Sequence, residues 1–389
     1  MRAPGDAGGA MSLFQALGLD ADDRPAVAAF AARSGVPVAQ LRYYDTAQIL
    51  PCGADLARLL TTSGLSEMDL MLRLGRPSRA ALAALAGDAG GRPAAPPPPA
   101  PRLPPPVLAT AYGQLYQGDC LAIMAALASD SLDLIFADPP QNLGKWYPSG
   151  INDRLAVGDY LAWCERWLLE CIRLLKPGGA LFVWNLPRWN AELASFLAGR
   201  LTLLHWIAVE FKCGLPRPGR LYPAHYALLY LVKGPRPRVF HPDRLPLAVC
   251  RHCAGELGDY GGHARAMNPA GVNLSDVWHD IHPVRHAKYK RRTGANELPL
   301  RLLDRIIELA SDPGDTVLDP FGGAGTTYVA AEVKQRRWLG VEIGPPGDIQ
   351  RRFAALERER HRLAAGRQGL NTLFPPAVKA RRERAGRWT

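Results

Sequence analysis

Residues Thr316 to Thr327 read TVLDPFGGAGTT, and residues Leu132 to Asn142 read LDLIFADPPQN. Each is a short apolar run that closes on Asp-Pro, the pattern of a buried parallel strand delivering a polar residue at its carboxyl end. In open α/β sheets that edge is where ligands bind. After Asp319 the glycines lead into YVAAEV, which has helical character. A glycine turn feeding a helix lets backbone approach a ligand closely, and the N–H groups at the helix start favour a carboxylate or phosphate. Taken alone, the turn is equally compatible with glycines that serve only packing. A Walker-type phosphate loop is excluded because no Gly-Lys-Ser/Thr follows Gly325, and a Gly-x-Gly-x-x-Gly dinucleotide site lacks its third glycine. Asp138-Pro139-Pro140 at the second strand end adds a carboxylate and a backbone carbonyl held by proline.

Outward from these two stretches, strands alternate with helices. Gln114 to Leu127 gives a short strand, a Gly118-Asp119 turn and a helix, and Leu132 to Ala137 is the strand before the prolines. An amphipathic helix over Tyr160 to Leu175 is ended by Lys176-Pro177-Gly178-Gly179. Strands follow at Ala180 to Trp184, Leu203 to Phe211 and His225 to Val232. A helix over Pro299 to Ala310 precedes the glycine-turn strand, and Trp338 to Ile343 forms the strand after it. The expected fold is α/β, a doubly wound, mostly parallel sheet, with a small N-terminal all-α module.

With both stretches in view, the chain resembles the amino-methylating DNA methyltransferases that use S-adenosylmethionine. Asp138-Pro139-Pro140 matches the catalytic motif, and Asp319-Pro320-Phe321, Gly323, Gly325, Thr326 and Thr327 match the cofactor motif. The catalytic motif comes first by 181 residues, the order of the circularly permuted class called beta. The resemblance covers roughly residues 112 to 345. It implies S-adenosyl-L-methionine as cofactor, with Asp119 near its adenine, Asn296 in a segment closing over its methionine end, and Asp319, Phe321, Gly323, Gly325 and Thr326 around it. Asp119 also reads as a helix cap, and the two roles are compatible. Glu342, near the end of the strand Trp338 to Ile343, suits the two ribose hydroxyls because one carboxylate accepts both hydrogen bonds.

The chemistry brings these residue types together. An exocyclic amine on adenine or cytosine is a poor nucleophile because its lone pair is delocalised into the ring. If Asp138 and the Pro139 carbonyl each accept one N–H bond, the lone pair is freed toward the cofactor methyl. The base has to leave the duplex to reach such a site. Asp rather than Ser before the prolines leans toward adenine N6, with cytosine N4 as the alternative. The position after Asp-Pro-Pro is usually aromatic in the family, as a face for the flipped base, and here it is Gln141. An amide hydrogen-bonds a base edge but stacks less well. Trp146 and Tyr147 either replace that platform or are ordinary loop aromatics. The departure at Gln141 keeps a competing reading open: a DNA-binding or regulatory protein that retains the fold with little catalysis.

At 389 residues with 48% hydrophobic content, the chain is long enough for two domains, and it contains no apolar run of membrane-spanning length. The start, MRAPGDAGGA, lacks the basic-then-apolar layout of a secretion signal. Seven scattered cysteines point to a reducing compartment, so the expected location is cytoplasmic, with no membrane partner. Cys250-x-x-Cys253 is either half of a zinc knuckle, with His241, His252 or His263 as further ligands, or two reduced loop thiols. No second Cys pair exists, and no metal is expected.

The net charge of +11 points to a polyanion, and its placement says more than its size. Residues 1 to 86 carry eight basic and eight acidic side chains. Lys212 to Arg238 holds six bases and no acid, Arg285 to Arg292 adds five, and the chain from Arg351 adds eleven against three acids. Lys212, Arg217, Arg220, Arg285, Lys288, Lys290 and Arg291 are therefore the candidate contacts to double-stranded DNA. An insertion over about 212–292 breaks the strand-helix alternation and is the expected target-reading region.

Pro25 to Ser34, Pro37 to Tyr44, Gly53 to Thr62 and Ser66 to Leu74 have helical apolar spacing. VAAFAARSGVPVAQLRYYDTAQILP resembles the first helices of a MerR-type helix-turn-helix. The neutral charge leaves DNA binding, dimerisation and docking of another protein all open. Gly87 to Pro106 holds nine prolines in twenty residues, a semi-rigid spacer reaching at most about 60 Å that leaves the module tethered with no need to pack. The expected organisation is a helical module over 1–86, a linker over 87–106, a methyltransferase domain over 107–365 and a basic tail over 366–389. A homodimer and a separately encoded cognate restriction endonuclease are the further partners expected.

Overall fold

The computed structural model describes residues 11–47, 49–76, 102–146, 150, 152–210, 218–219, 221–245, 272–281, 297–368, 380 and 384. Within them β1 (Leu108–Ala109), β2 (Gly113–Gln117), β3 (Leu132–Ala137), β4 (Leu175–Asn185), β5 (Thr202–Glu210), β6 (His225–Val232), β9 (Val277–Trp278), β10 (Thr316–Asp319) and β11 (Arg337–Glu342) form one sheet. β7 (Arg244–Leu245) and β8 (Val272–Asn273) pair separately. The order across the sheet is β1-β2-β11-β10-β3-β4-β6-β5-β9. From β2 through β4 each neighbour is parallel. β6 runs antiparallel to both β4 and β5.

Strand periodicity of two sorts the core onto both faces. Ile135, Ala137, Leu181, Val183, Leu229, Leu231 and Leu318 point to one side. There they pack against the helices Cys120–Ala125, Val157–Leu174 and Pro187–Ala198. Leu134, Phe136, Phe182, Leu228, Tyr230 and Val317 point to the other, against Leu300–Ala310, Thr326–Val333 and Gly347–Ala354. A strand covered on both faces has no place for a polar alternation, which is why LDLIFA is buried along its whole length. The expected α/β sheet with helices on both faces is the observed fold.

Two expectations need correction. The strand expected from Ala180 already starts at Leu175, directly after the helix that ends at Leu174, so Lys176 to Gly179 belong to β4. The Gly178 N–H donates to the Lys233 carbonyl (2.6 Å) and the Lys233 N–H to the Gly179 carbonyl (3.0 Å), which draws this stretch into the sheet. The N-terminal module is not merely tethered. Helices Leu13–Ala16, Arg24–Ser34, Val38–Thr46, Gly53–Ser63 and Glu67–Arg73 enclose their own core around Phe14, Phe30, Leu41 and Leu59. That bundle docks on the sheet domain: the Leu50 N–H donates to the Gly199 carbonyl (2.5 Å), and Tyr43 Oη hydrogen-bonds Thr202 Oγ1 (2.7 Å). Cys52 packs against the main core. Gly199 and Thr202 flank the start of β5, at the sheet edge opposite the ends of β3 and β10. Residues 77–101, most of the spacer, lie outside the described residues.

Part of the expected polyanion surface is spent inside the protein. Lys233 pairs with Asp130 (2.7 Å) and donates to the carbonyls of Ile172 and Leu175, while Arg238 pairs with Asp133 and Asp315. The helix Leu356–Gln368 runs past the expected domain end at 365, and its Arg367 pairs with Asp243 (2.9 Å) and Asp304 (2.6 Å). Lys212, Arg217, Arg220, Arg285, Lys288, Lys290 and Arg291 lie outside the described residues, as do Cys250 and Cys253. His241 is described, and its Nε2 hydrogen-bonds Asp312 Oδ1 (2.9 Å). Among the described residues no helix is long and apolar enough to cross a membrane, and no cluster of metal-ligating side chains occurs.

Candidate active site

Asp138 follows β3 directly, Asp319 closes β10 and Glu342 closes β11. The three strands are adjacent and parallel, so register alone brings three carboxylates to one edge. Burial pushes the Asp319 carboxyl up to about 8, against hydrogen bonds from the Thr327 hydroxyl and the Phe321 N–H, and the charges of Asp138 and Glu342 push it further. Burial likewise raises Asp138 to about 7, opposed by Lys145 and by a hydrogen bond from Gln141. Burial thus makes ionisation costly at this edge, and a cationic ligand placed beside these carboxyls would favour their ionised forms.

The glycine turn is closed on itself. Asp319 Oδ1 accepts the Phe321 N–H (2.9 Å), and Oδ2 accepts the Thr327 hydroxyl (2.5 Å). Glu342 Oε2 accepts the Gly323 N–H (2.7 Å), and Oε1 accepts the Gly344 N–H (2.7 Å). Gly325 caps the helix Thr326–Val333 at φ +70°, and a Cβ there would stand 3.0 Å from Ile349. Both the backbone conformation and the space demand glycine. Phe321 turns its ring into Trp163 (5.8 Å) and Trp167 (5.2 Å). Asp119 caps its helix, Oδ1 accepting the N–H groups of Leu121 (2.9 Å) and Ala122 (3.2 Å). Asn296 lies outside the described residues.

Sequence reasoning missed Arg352, which is only 3% exposed. Its guanidinium donates to the Ala324 carbonyl (3.1 Å) and Thr326 Oγ1 (2.8 Å), and lies against Glu297 (3.4 Å) and Glu359 (3.2 Å). One buried cation thus ties the glycine turn to two other segments. Nothing in the local sequence distinguishes it from the arginines around it.

The Asp138-Pro139-Pro140-Gln141 loop is held from behind. Tyr160 Oη donates to the Pro140 carbonyl (2.8 Å) and accepts from Asn185 Nδ2 (3.1 Å). Trp189 Nε1 donates to the Gln141 carbonyl (2.8 Å). Tyr160 and Trp189 rest on each other at 4.7 Å. These supports were also missed; Tyr160 shares one helical face with Trp163 and Trp167 by spacing, a signal that could have found it, whereas Asn185 and Trp189 lie on other elements. Gln141 Oε1 is buried and has no hydrogen-bond partner among the described residues. Beyond the loop, the Asn142 side chain bonds both backbone groups of Leu155 (3.1 and 2.8 Å), pinning a short excursion that carries Trp146. Trp146 is 71% exposed, bridging to Asn152, and Tyr147 lies outside the described residues.

Residues 132–346 match the N6/N4 DNA methylase family, a span that begins with β3 and ends just past Glu342. The chain belongs to that family. Among its relatives the DNA methylase M.BamHI, a type II methyltransferase of Bacillus amyloliquefaciens, is 47% identical over 283 residues, 73% of this chain and 67% of its own. The DNA adenine methyltransferase YhdJ of Escherichia coli (strain K12) is 30% identical over 238 residues, 59% of this chain and 78% of its own. Among solved structures, the cytosine-N4-specific PvuII DNA methyltransferase superposes with a TM-score of 0.46 at 18% identity, covering 67% of this chain and 95% of that one. In this methylase the family span takes in both the prolines after β3 and the glycine turn after β10.

Proposed function

We propose that this methylase transfers a methyl group from S-adenosyl-L-methionine to the exocyclic amine of an adenine or cytosine flipped from double-stranded DNA, as a type II modification enzyme. The observation that carries the reading is the convergence of Asp138, Asp319 and Glu342 at one sheet edge beside a left-handed glycine turn. The donor set fits the cofactor. Two carboxyls raised by burial, Asp319 further by the charges of Asp138 and Glu342, gain from a sulfonium and an ammonium. Gly323, Gly325, Thr326 and Phe321 would form the floor, Glu342 would face the ribose, and Asp119 and Asn296 would flank the adenine and methionine ends.

The cofactor supplies a methyl already activated by its sulfonium, so the protein's work is positioning and electrostatics. Ionised Asp138 accepts one N–H of the target amine, and the Pro139 carbonyl accepts the other. The amine lone pair is thereby turned out of conjugation and toward the methyl. Tyr160, Asn185 and Trp189 hold the loop so that these acceptors need no reorganisation as charge develops on nitrogen. The order of the two motifs along the chain supports the beta class. Adenine N6 and cytosine N4 present the same pairing edge, an amine beside a ring nitrogen, and Asp at the head of the motif makes adenine the first base to test.

The test is transfer of labelled methyl from S-adenosylmethionine to unmethylated duplex DNA, followed by nucleoside analysis. Labelled N6-methyladenine or N4-methylcytosine establishes the reaction and assigns the base. Absence of label on DNA despite cofactor binding overturns it.

A further inference from the structure

Gln141 stands where an aromatic is usual, and its surroundings give the amide a fixed direction. Its backbone carbonyl is anchored by Trp189, and its side chain lies beside Asp138 and lowers that carboxyl, as an amide N–H turned toward it does. The opposite rotamer would set Oε1 against a carboxylate, so Asp138 locks which end of the amide is donor and which is acceptor. Oε1 is then left buried without a partner among the described residues. A buried acceptor without a donor is costly unless a ligand completes it. Phe321 is committed to Trp163 and Trp167, and Trp146 stands 71% exposed.

We propose that Gln141 reads the pairing edge of the flipped base as a bidentate partner, replacing recognition by stacking with recognition by hydrogen bonds. Oε1 shares with the Pro139 carbonyl the amine N–H on the ring-nitrogen side. The second Nε2 hydrogen is donated to the ring nitrogen itself, N1 of adenine or N3 of cytosine, while Asp138 takes the other amine N–H. Guanine and thymine present a carbonyl beside a ring N–H, the reverse polarity. Against them the locked amide would meet oxygen with oxygen and hydrogen with hydrogen. The same side chain thus helps to select an amino base and adds negative dipole at the nitrogen where positive charge develops.

This proposal rests on the amino-methyltransferase reading, and the two fail separately. Once sequencing of methylated DNA has located the target, duplexes are made with the natural base or with its ring nitrogen replaced by C–H (1-deazaadenine or 3-deazacytosine). Wild type, Gln141→Leu and Gln141→Glu are compared on both by kcat/KM. Wild type is expected to lose about 10- to 100-fold on the deaza duplex. Gln141→Leu is expected to fall by a similar factor on the natural base and to be indifferent to the deaza change. Gln141→Glu, which keeps acceptors but loses the donor, should be equally indifferent and serves if the leucine variant fails to fold, which cofactor calorimetry reports. If the variants penalise the deaza duplex as strongly as wild type, or match wild type on the natural base, the proposal is overturned while the transferase reading stands. A wild type that methylates no DNA removes both.

Discussion

Two loops leave the same sheet edge and treat their polar atoms in opposite ways. After β10, both oxygens of Asp319 and one of Glu342 accept hydrogen bonds from the turn or its helix, the other Glu342 oxygen accepts from Gly344 after β11, and Arg352 fastens the turn from beneath. After β3, the hydrogen bonds grip the far side: Tyr160 holds the Pro140 carbonyl and Trp189 the Gln141 carbonyl, while Gln141 Oε1 has no partner among the described residues. One loop is finished before any ligand arrives. The other is rigid yet incomplete, which is how an acceptor for a transient charge is built. The difference fits the proposed function, with holding in the first loop and reaction in the second.

That division is most exposed at Asp138. Asp138→Ala should lower transfer by about 1000-fold with cofactor affinity within a few-fold of wild type. Single-turnover kinetics beside calorimetry checks it, and parallel loss of both would erase the division. Gly325→Asp should do the converse, weakening cofactor binding on the order of 100-fold through a strained left-handed backbone and a clash with Ile349. Circular dichroism separates that outcome from unfolding. Tyr160→Phe removes the support behind the reacting loop and should cost about tenfold in kcat with little change in cofactor KM.

Protonation probes both loops at once. The proposed mechanism uses the ionised Asp138, the stronger acceptor and the only form that offsets charge developing on the amine, so with its carboxyl near 7 the free-enzyme kcat/KM should fall about tenfold per pH unit below that point. Stability runs the other way. The folded carboxyls of Asp138 and Asp319 are raised above the ordinary aspartate value, so the folded state binds more protons than the unfolded chain. Their stabilising contribution is fully present below the unfolded pKa and is lost as pH rises through about 7 and 8. The cofactor-free protein should therefore melt at a higher temperature at pH 6 than at pH 8.5, and Asp138→Asn should narrow that gap. The smallest effect is expected away from the edge. Tyr43→Phe at the module contact should cost about 1 kcal/mol of stability and leave turnover unchanged.

The sheet and its reacting edge were legible because strands buried on both faces write long apolar runs, and because Asp138, Asp319 and Glu342 each end such a run. His225 to Val232 matches β6 to the residue, and the helix expected over Pro25 to Ser34 differs from Arg24–Ser34 by one position. What stayed hidden was contact between distant segments. Arg352 reads as one more base in a basic tail, and only packing shows it buried against Glu297 and Glu359. Lys233 and Arg238 likewise read as two more bases of an acid-free stretch until their acidic partners arrive from elsewhere in the chain. The four-residue helix Leu13–Ala16 is too short to carry periodicity. The docking of the module was misjudged because a proline-rich spacer records what a chain permits, while the hydrogen bonds of Leu50 and Tyr43 record what it does.

The place of that docking has a practical side. The helical bundle grips the sheet at the start of β5, and the reacting loops emerge from the opposite edge. An affinity handle, a fluorophore or a solid support attached through the bundle would therefore sit behind the catalyst. Immobilised in that orientation, the protein would present its working edge to a passing duplex.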